Sequence, residues 1–178
     1  MSHVYRYSSI PVIRRENVAE HSWYVAFYSL VVAKDLKSRG FDVDFGKLLE
    51  RALVHDLDES MTGDFLRGVK YGHPDLKRAL DELSEQMIRL MGDELGADLL
   101  LAWKKCKADD IEGDIISVVD LARVISYVYE EMKSGNQHVA HIITECCAWI
   151  KKFLILKDHS PVVPYAKSII RWAEALEV

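Results

Sequence analysis

Apolar residues recur along most of this chain at the three-to-four-residue spacing of amphipathic helices. Within residues 17–38, for example, Val18, Val25 and Leu36 fall on one helical face, and Gly40 follows where such a helix would end. No stretch of six residues shows the apolar and polar alternation of a strand. The first long segment is therefore predicted to be a helix.

The same spacing predicts further helices, at about residues 45–55, 74–91, 94–107, 114–134, 139–156 and 164–177. A turn is expected at residues 62–64 and a loop at residues 68–72, where Gly interrupts the pattern. We find no internal repeat, low-complexity tract or linker. These features predict an all-α fold in which residues 1–178 form one domain.

Composition narrows the class of protein. The 178 residues include 23 Lys and Arg against 28 Asp and Glu, a net charge of −5, and 49% of them are hydrophobic. Such a chain can build a core but lacks the excess of cations that nucleic acids or membrane surfaces require, so we expect neither partner.

Targeting and redox features of the sequence indicate the compartment in which the protein is expected. No apolar run approaches the roughly 20 residues of a membrane span, and the N-terminus lacks the apolar stretch of a signal peptide. The three cysteines contain no CxxC pair and are expected to be buried thiols in a reducing compartment. We therefore expect a cytoplasmic protein.

A few polar residues lie where the helical pattern calls for apolar ones. Asp120 falls inside an apolar run at residues 115–122, and a buried carboxylate needs a cation, a metal ion or hydrogen-bond donors. From the sequence of this run alone, an ion pair, for example with Arg123 or Arg51, is the preferred explanation of Asp120, and a metal ion is the alternative.

Two histidines raise the same question. The dipeptide His55-Asp56 directly follows another apolar run, at residues 52–54, and offers a nitrogen and an oxygen that suit a transition metal. Glu59 would share their face if the helix continued, and could orient a water. His21 lies near the start of the first helix. Taken singly, each of these residues could equally be a structural core or surface residue.

Together, these residues form an ordered set. The set consists of Arg15-Glu-Asn-Val-Ala-Glu-His-Ser22, His55-Asp56-x-x-Glu59-x-x-Thr62-Gly63-Asp64, Val69-Lys70-Tyr71 and Asp120. This set resembles the HD-domain phosphohydrolases, and most closely the YfbR-type 5′-deoxynucleotidases. The resemblance extends from about Arg6 to Asn136 and implies an HD-domain helical bundle with a metal site between helices.

The resemblance also implies roles for individual residues. His21, His55, Asp56 and Asp120 would bind one divalent metal ion, which could be Co, Mn, Zn, Fe, Ni or Mg. Two residues would serve catalysis: Glu59 would prepare the attacking water, and Asp64 would act near the sugar and scissile phosphate. Arg6 would bind the phosphate of the substrate. Lys70 and Tyr71 match a segment of the family that could contact the same phosphate. Tyr7 stands where the family has a Trp that packs against the sugar and disfavours a ribose 2′-hydroxyl.

The implied reaction is hydrolysis of deoxynucleoside 5′-monophosphates to deoxynucleoside and phosphate. Related HD enzymes, some encoded by phages, instead release triphosphate from deoxynucleoside triphosphates with the same ligands. Whether the substrate is a monophosphate or a triphosphate depends on extra cations that reach the additional phosphates. The candidates are Lys70, Lys104, Lys105, Lys107, Arg14 and Arg15. A non-catalytic HD module that binds a nucleotide or a partner is the third alternative.

The family resemblance further implies a homodimer or a higher homo-oligomer. An apolar and aromatic face could supply the interface or could instead belong to the intrachain core; its residues are Ile125, Tyr127, Tyr129, Ile142, Trp149 and Phe153. The sequence leaves both options open.

Overall fold

Helices dominate the part of the chain that the computed structural model describes, which comprises residues 1–7, 10–63 and 72–176. They are α1 (Val18–Ser38), α2 (Phe45–Val54), α3 (Glu59–Thr62), α4 (Pro74–Leu95), α5 (Leu100–Lys104), α6 (Ile111–Lys133), α7 (His141–Leu156) and α8 (Val163–Ala175), with a 3₁₀ turn at Gln137–Val139. Within these ranges no strand is present, and an isolated antiparallel bridge joins Tyr5 to Asn17. The all-α prediction is confirmed.

Local sequence explains where two of the long helices begin. The Asn17 side chain accepts a hydrogen bond from the Glu20 N–H, and the Glu20 side chain accepts one from the Asn17 N–H, which forms a capping box at the start of α1. At the start of α6, the Asp110 side chain accepts a hydrogen bond of 2.9 Å from the Gly113 N–H. Both caps fix the helices that carry the polar residues described below.

The core forms around α6, which packs against α1, α2, α7 and α8. Ile115, Ile116, Ile125 and Val128 of this helix are fully buried, so most of its circumference is covered by neighbouring helices. A smaller apolar cluster lies between the end of α2, α4 and α5, and it is built from Val54, Leu57, Ile88 and Ala102. The turn between α2 and α3 therefore rests on a core of its own.

One expected helix differs from the structure. In place of the helix expected at about residues 94–107, α4 continues to Leu95 and ends at Gly96, whose φ of 64° is left-handed, and only the short α5 follows. This difference reflects a backbone reversal that apolar spacing does not encode. The helix expected at about residues 45–55 ends at Val54, and a turn separates it from α3, so Glu59 does not lie on a continuation of that helix.

The apolar face offered above as an interface or a core lies in the core. Ile125, Tyr127 and Ile142 are buried, and Trp149 and Phe153 pack against them within the same chain. Cys146 and Cys147 are buried free thiols, as expected, whereas Cys106 is only partly covered. None of the helices in the described ranges combines the length and apolar character that crossing a bilayer requires.

Candidate metal centre

Four side chains from three separate segments converge at one point of the bundle. His21 comes from the first turn of α1, Asp120 from the middle of α6, and His55 and Asp56 from the turn after α2. One ligand atom from each lies within 4.8 Å of all the others. The structure thus brings together the four residues that the sequence analysis named as candidate metal ligands.

The spacing of these atoms suits one ion. His21 Nε2 lies 3.1 Å from Asp120 Oδ1 and 3.6 Å from Asp56 Oδ2, and His55 Nε2 lies 3.3 Å and 4.0 Å from Asp56 Oδ2 and Asp120 Oδ1. Ligands that each stand about 2.1 Å from a shared ion are separated by roughly 3–4 Å. The separations in this cluster fall in that range.

The orientation of His55 supports the same interpretation. Its Nδ1 lies 2.8 Å from the Ala52 carbonyl oxygen, and only a protonated Nδ1 can donate to a carbonyl. The lone pair is then on Nε2, which is buried and has no hydrogen-bond partner among the described residues. A buried nitrogen lone pair that faces two carboxylates is the arrangement expected where a cation binds, so this donor set fits a divalent metal ion.

The electrostatic balance of the cluster is unusual for buried groups. Burial alone would raise the pKa of Asp56, but the neighbouring His55 and Arg6 hold it well below its usual range. Burial would also raise the pKa of Asp120, but the neighbouring Lys107 and His21 hold it well below its usual range. For His55, burial would lower the pKa, and the charges of Asp56 and Asp120 raise it instead. Both carboxylates are therefore held in the anionic form that binds metals.

Two cations contact the carboxylates of the cluster. Arg6 Nη1 donates to Asp56 Oδ2 at 2.5 Å, and Lys107 Nζ donates to Asp120 Oδ2 at 2.6 Å. The ion pairs considered for Asp120 on sequence grounds are not formed, because Arg123 pairs with Glu16 and Arg51 pairs with Asp110. The sequence analysis named Lys107 only as one of several cations whose position in the fold was not assigned.

The N-terminal segment brings Arg6 to this site. The Arg6 N–H donates to the Glu16 carbonyl at 2.9 Å, and the Val18 N–H donates to Val4 at 3.0 Å, so the segment lies alongside the start of α1. The Arg6 guanidinium is also 3.5 Å from Glu59 Oε2. Although the helix does not continue from His55, Glu59 still lies beside the cluster because α3 turns back towards Arg6.

Tyr7 adopts a conformation that few non-glycine residues tolerate. Its φ is 58°, and left-handed backbone of this kind costs about 1–3 kcal/mol. The ring is buried and stacks on Tyr127, with centroids 4.9 Å apart and planes 2° from parallel. Tyr7 is thus fixed against α6, directly beside Arg6.

A pocket of about 510 Å³ adjoins Arg6 and Tyr7. It is also lined by His3, Tyr5, Ile10, Val12, Arg15 and Gly63. Its size is within the range of about 300–1,000 Å³ that is usual for small-molecule sites, and its lining mixes aromatic, apolar and cationic groups. None of the four candidate ligands lines the pocket, and Arg6, which contacts Asp56, is the residue that links the pocket to the cluster.

Three residues singled out in the sequence, Asp64, Lys70 and Tyr71, lie outside the described residues. Conversely, the structure reveals polar groups around the site to which the sequence analysis gave no role there: Glu16, Asp58 and Arg123, the last considered only as a partner of Asp120. Glu16 and Arg123 are almost completely buried together. Their positions in the sequence gave no indication of this pairing, because 107 residues separate them.

Comparison with known proteins agrees with this geometry. The family described as 5′-deoxynucleotidase YfbR-like matches residues 1–169. A 5′-deoxynucleotidase of Pasteurella multocida is 29% identical over 140 residues, which cover 75% of this chain and 71% of that protein. One from Vibrio cholerae is 27% identical over 146 residues, covering 79% and 75%.

Solved structures show the same fold. An HD-domain phosphohydrolase from Listeria innocua superposes with a TM-score of 0.71 over 96% of this chain and 87% of its own, at 23% identity. A protein from Pyrococcus horikoshii gives a TM-score of 0.70, with coverage of 93% and 87% and again 23% identity. With the family match over nearly the whole sequence, these likenesses lead to one conclusion: the chain belongs to the 5′-deoxynucleotidase YfbR-like family.

Proposed function

We propose that this protein hydrolyses deoxynucleoside 5′-monophosphates to deoxynucleoside and phosphate, with a divalent metal ion held by His21, His55, Asp56 and Asp120. The observation that carries the proposal is the convergence of these four side chains beside Arg6. The curated relatives named above are 5′-deoxynucleotidases, which supports the same substrate class. When bound, such an ion lowers the pKa of a coordinated water and offsets charge on phosphoryl oxygens.

The protein's own side chains would supply the remaining parts of the reaction. Arg6 lies between the cluster and the pocket, so its guanidinium is suited to hold a phosphate whose nucleoside occupies the pocket. Glu59 Oε2, 3.5 Å from Arg6 Nη1, is placed to orient the attacking water and accept its proton. The roles of Asp64, Lys70 and Tyr71 rest on the family resemblance alone.

Tyr7 would set how strictly the sugar is selected. The ring is buried against Tyr127 and also lines the pocket, so it limits the space next to Arg6. A Trp at this position would be larger than the Tyr. Deoxyribonucleotides and ribonucleotides assayed side by side on the protein and its Tyr7→Trp variant measure this contribution.

Release of triphosphate from deoxynucleoside triphosphates is the alternative reaction, and it would need cations that contact the additional phosphates. Lys104 pairs with Glu85 and Arg14 pairs with Glu130. Lys107 contacts Asp120, and Arg15 lines the pocket with its guanidinium over Tyr5. Of these four described cations, Lys107 and Arg15 would be the ones suited to this role.

Product analysis decides between the reactions. Purified protein is incubated with deoxynucleoside mono- and triphosphates in the presence of Mn²⁺, Co²⁺ or Mg²⁺, and phosphate and triphosphate are measured separately. We expect phosphate from the monophosphates, and a loss of at least about 100-fold in Asp56→Ala, because several kcal/mol of charge stabilisation disappear with the ion. The exposed Asp42 provides a matched control, Asp42→Ala, which should keep full activity.

Each other outcome has a distinct meaning. Triphosphate as the main product would replace the proposed substrate by the alternative one. Metal binding without hydrolysis of any nucleotide would indicate a non-catalytic module. Equal activity in Asp56→Ala and the parent protein would overturn the proposed metal site.

We also propose that the protein forms a homodimer. The face offered for this purpose on sequence grounds is largely used by packing within the chain, so a dimer would use another surface. Sedimentation equilibrium of the purified protein measures the mass directly, and a monomer at all concentrations would contradict the proposal.

A further inference from the structure

We infer that Glu16, held in place by Arg123, is a positioning residue that orients His21 towards the metal cluster. The inference rests on the metal site proposed above. It concerns a buried pair that lies behind His21, on the side opposite to the carboxylates of Asp56 and Asp120.

Glu16 and Arg123 form an almost completely buried ion pair. Their side chains are 1% and 2% exposed. Arg123 Nε donates to Glu16 Oε1 at 2.8 Å, and Arg123 Nη2 donates to the same oxygen. Two donors on one oxygen hold that oxygen in place and leave the second oxygen, Oε2, to face elsewhere.

That second oxygen faces His21. Glu16 Oε2 and His21 Nδ1 are 3.5 Å apart, and both atoms are buried without a hydrogen-bond partner among the described residues. Buried polar atoms rarely stay unpaired, because an unmade hydrogen bond costs about 1–3 kcal/mol. An approach of about 0.5 Å would bring the two atoms to ordinary hydrogen-bond distance and satisfy both.

The consequence for His21 is a defined tautomer. A carboxylate oxygen can only accept, so the contact requires the proton on Nδ1 and leaves the lone pair on Nε2. Nε2 is the atom that lies 3.1 Å from Asp120 Oδ1 and 3.6 Å from Asp56 Oδ2. Glu16 thus favours the form of His21 that can bind a metal ion.

The two histidines of the cluster are oriented by different acceptors. His55 donates to the neutral carbonyl of Ala52, whereas His21 faces an anionic carboxylate. A carboxylate acceptor makes the imidazole more basic and so a stronger ligand. His21 should therefore depend on its supporting residue more than His55 does.

Arg123 is what keeps Glu16 in this position. Its guanidinium lies 4.1 Å from the centre of the Tyr24 ring and 3.5 Å from Glu130 Oε1, so it is anchored independently of Glu16. A lysine at this position would keep the charge but could not present two donors in a fixed plane.

Metal affinity, measured without any substrate, tests the inference. Calorimetric titration of the metal-free protein with Co²⁺ should show about 10- to 100-fold weaker binding for Glu16→Gln, the usual effect of removing a residue that supports a ligand. Arg123→Lys should weaken binding by a smaller factor. In the Glu16→Gln background, Arg123→Lys should have no additional effect, since its influence passes through Glu16.

Glu131→Gln is the matched control. This carboxylate is as buried as Glu16, but it accepts hydrogen bonds from the Ile13 and Arg14 N–H groups and from Asn136. We expect it to lower thermal stability while Co²⁺ affinity stays within threefold of the parent protein. Equal losses of affinity in Glu131→Gln and Glu16→Gln would show a general effect of buried charge and overturn the inference.

A measurement on the unaltered protein covers the case in which Glu16→Gln does not fold. The ¹⁵N shifts of the His21 ring in the Zn²⁺-loaded protein should show a protonated Nδ1, and the opposite tautomer would overturn the inference. Absence of metal binding by the parent protein would instead remove the proposed metal site, so the two failures are distinguishable.

Discussion

Asp58 is expected to be a main determinant of stability in the segment that carries His55, Asp56 and Glu59. Its side chain lies just before α3, and the residue is only 5% exposed. Asp58 Oδ2 accepts from Ser84 Oγ of α4 at 2.7 Å, and Asp58 Oδ1 accepts from Trp103 Nε1 of α5 at 3.0 Å. One carboxylate therefore joins three elements beneath the cluster.

Asp58→Ala removes both acceptor oxygens. The buried Ser84 hydroxyl and Trp103 N–H then lose their partner, and an unmade buried hydrogen bond costs about 1–3 kcal/mol. For a chain of this length each kcal/mol lowers the melting temperature by about 2–4 °C. Urea unfolding followed by circular dichroism measures the change, and the exposed Asp42→Ala should leave stability within about 0.5 kcal/mol.

A double-mutant cycle isolates the contact itself. Trp103→Phe removes the donor to Oδ1 while it keeps an aromatic ring, so its effect should be much smaller in the Asp58→Ala background. The reasoning fails if Asp58→Ala unfolds at the same urea concentration as the parent protein, or if the two substitutions are additive within about 0.3 kcal/mol.

Two other predictions concern the start of α6. Burial would raise the pKa of Asp110, but hydrogen bonds from Arg51, the Gly113 N–H and Lys47 lower it from 3.8 to about 2. The contribution of the Asp110 carboxylate to folding stability is thus present above pH 4 and is lost as pH falls. We expect Asp110→Asn to lower the free energy of unfolding by about 1 kcal/mol at pH 7, after allowance for the 29% exposure of the side chain, and by about half of that at pH 3. Urea unfolding at the two pH values measures both quantities. A rising cost towards pH 3 would contradict this. Gly113→Ala should cost more than about 2 kcal/mol, because its Cβ would lie 2.1 Å from the Ala108 carbonyl oxygen, whereas at Gly46 the nearest atom is 3.4 Å away and Ala should be tolerated.

Helix positions were predictable where the determinants are local. The caps at Asn17 and Asp110 and the apolar spacing of α1 and α6 involve residues within one or two turns of each other. The failure at residues 94–107 has a different origin. Gly92 lies so close to Ala97 that a Cβ there would be 2.6 Å from the Ala97 carbonyl oxygen, and this contact belongs to a chain reversal rather than to a helical face.

The composition of the site was predictable, but its ion pairs were not. The resemblance named the residues that converge, since their order along the chain is distinctive. Which cation approaches Asp120 depends on the turn after α5, which carries Lys107 to a helix that begins only at residue 111. Arg123, three residues from Asp120, instead contacts the segment before α1. Proximity in the sequence therefore did not predict which charged side chains form ion pairs.

The charge of the site differs from that of the chain. The net charge of −5 argues against a polyanionic partner, but a single nucleotide meets only the local field. Around the cluster, the carboxylates of Asp56 and Asp120 each have a cation at one oxygen, Arg6 and Lys107 respectively. Those four charges cancel, so a divalent ion bound among them would make the site attractive to a phosphate. The two flanking cations therefore offset the carboxylate charge of the site, so that a divalent ion bound there would attract a single phosphate even though the chain as a whole is acidic.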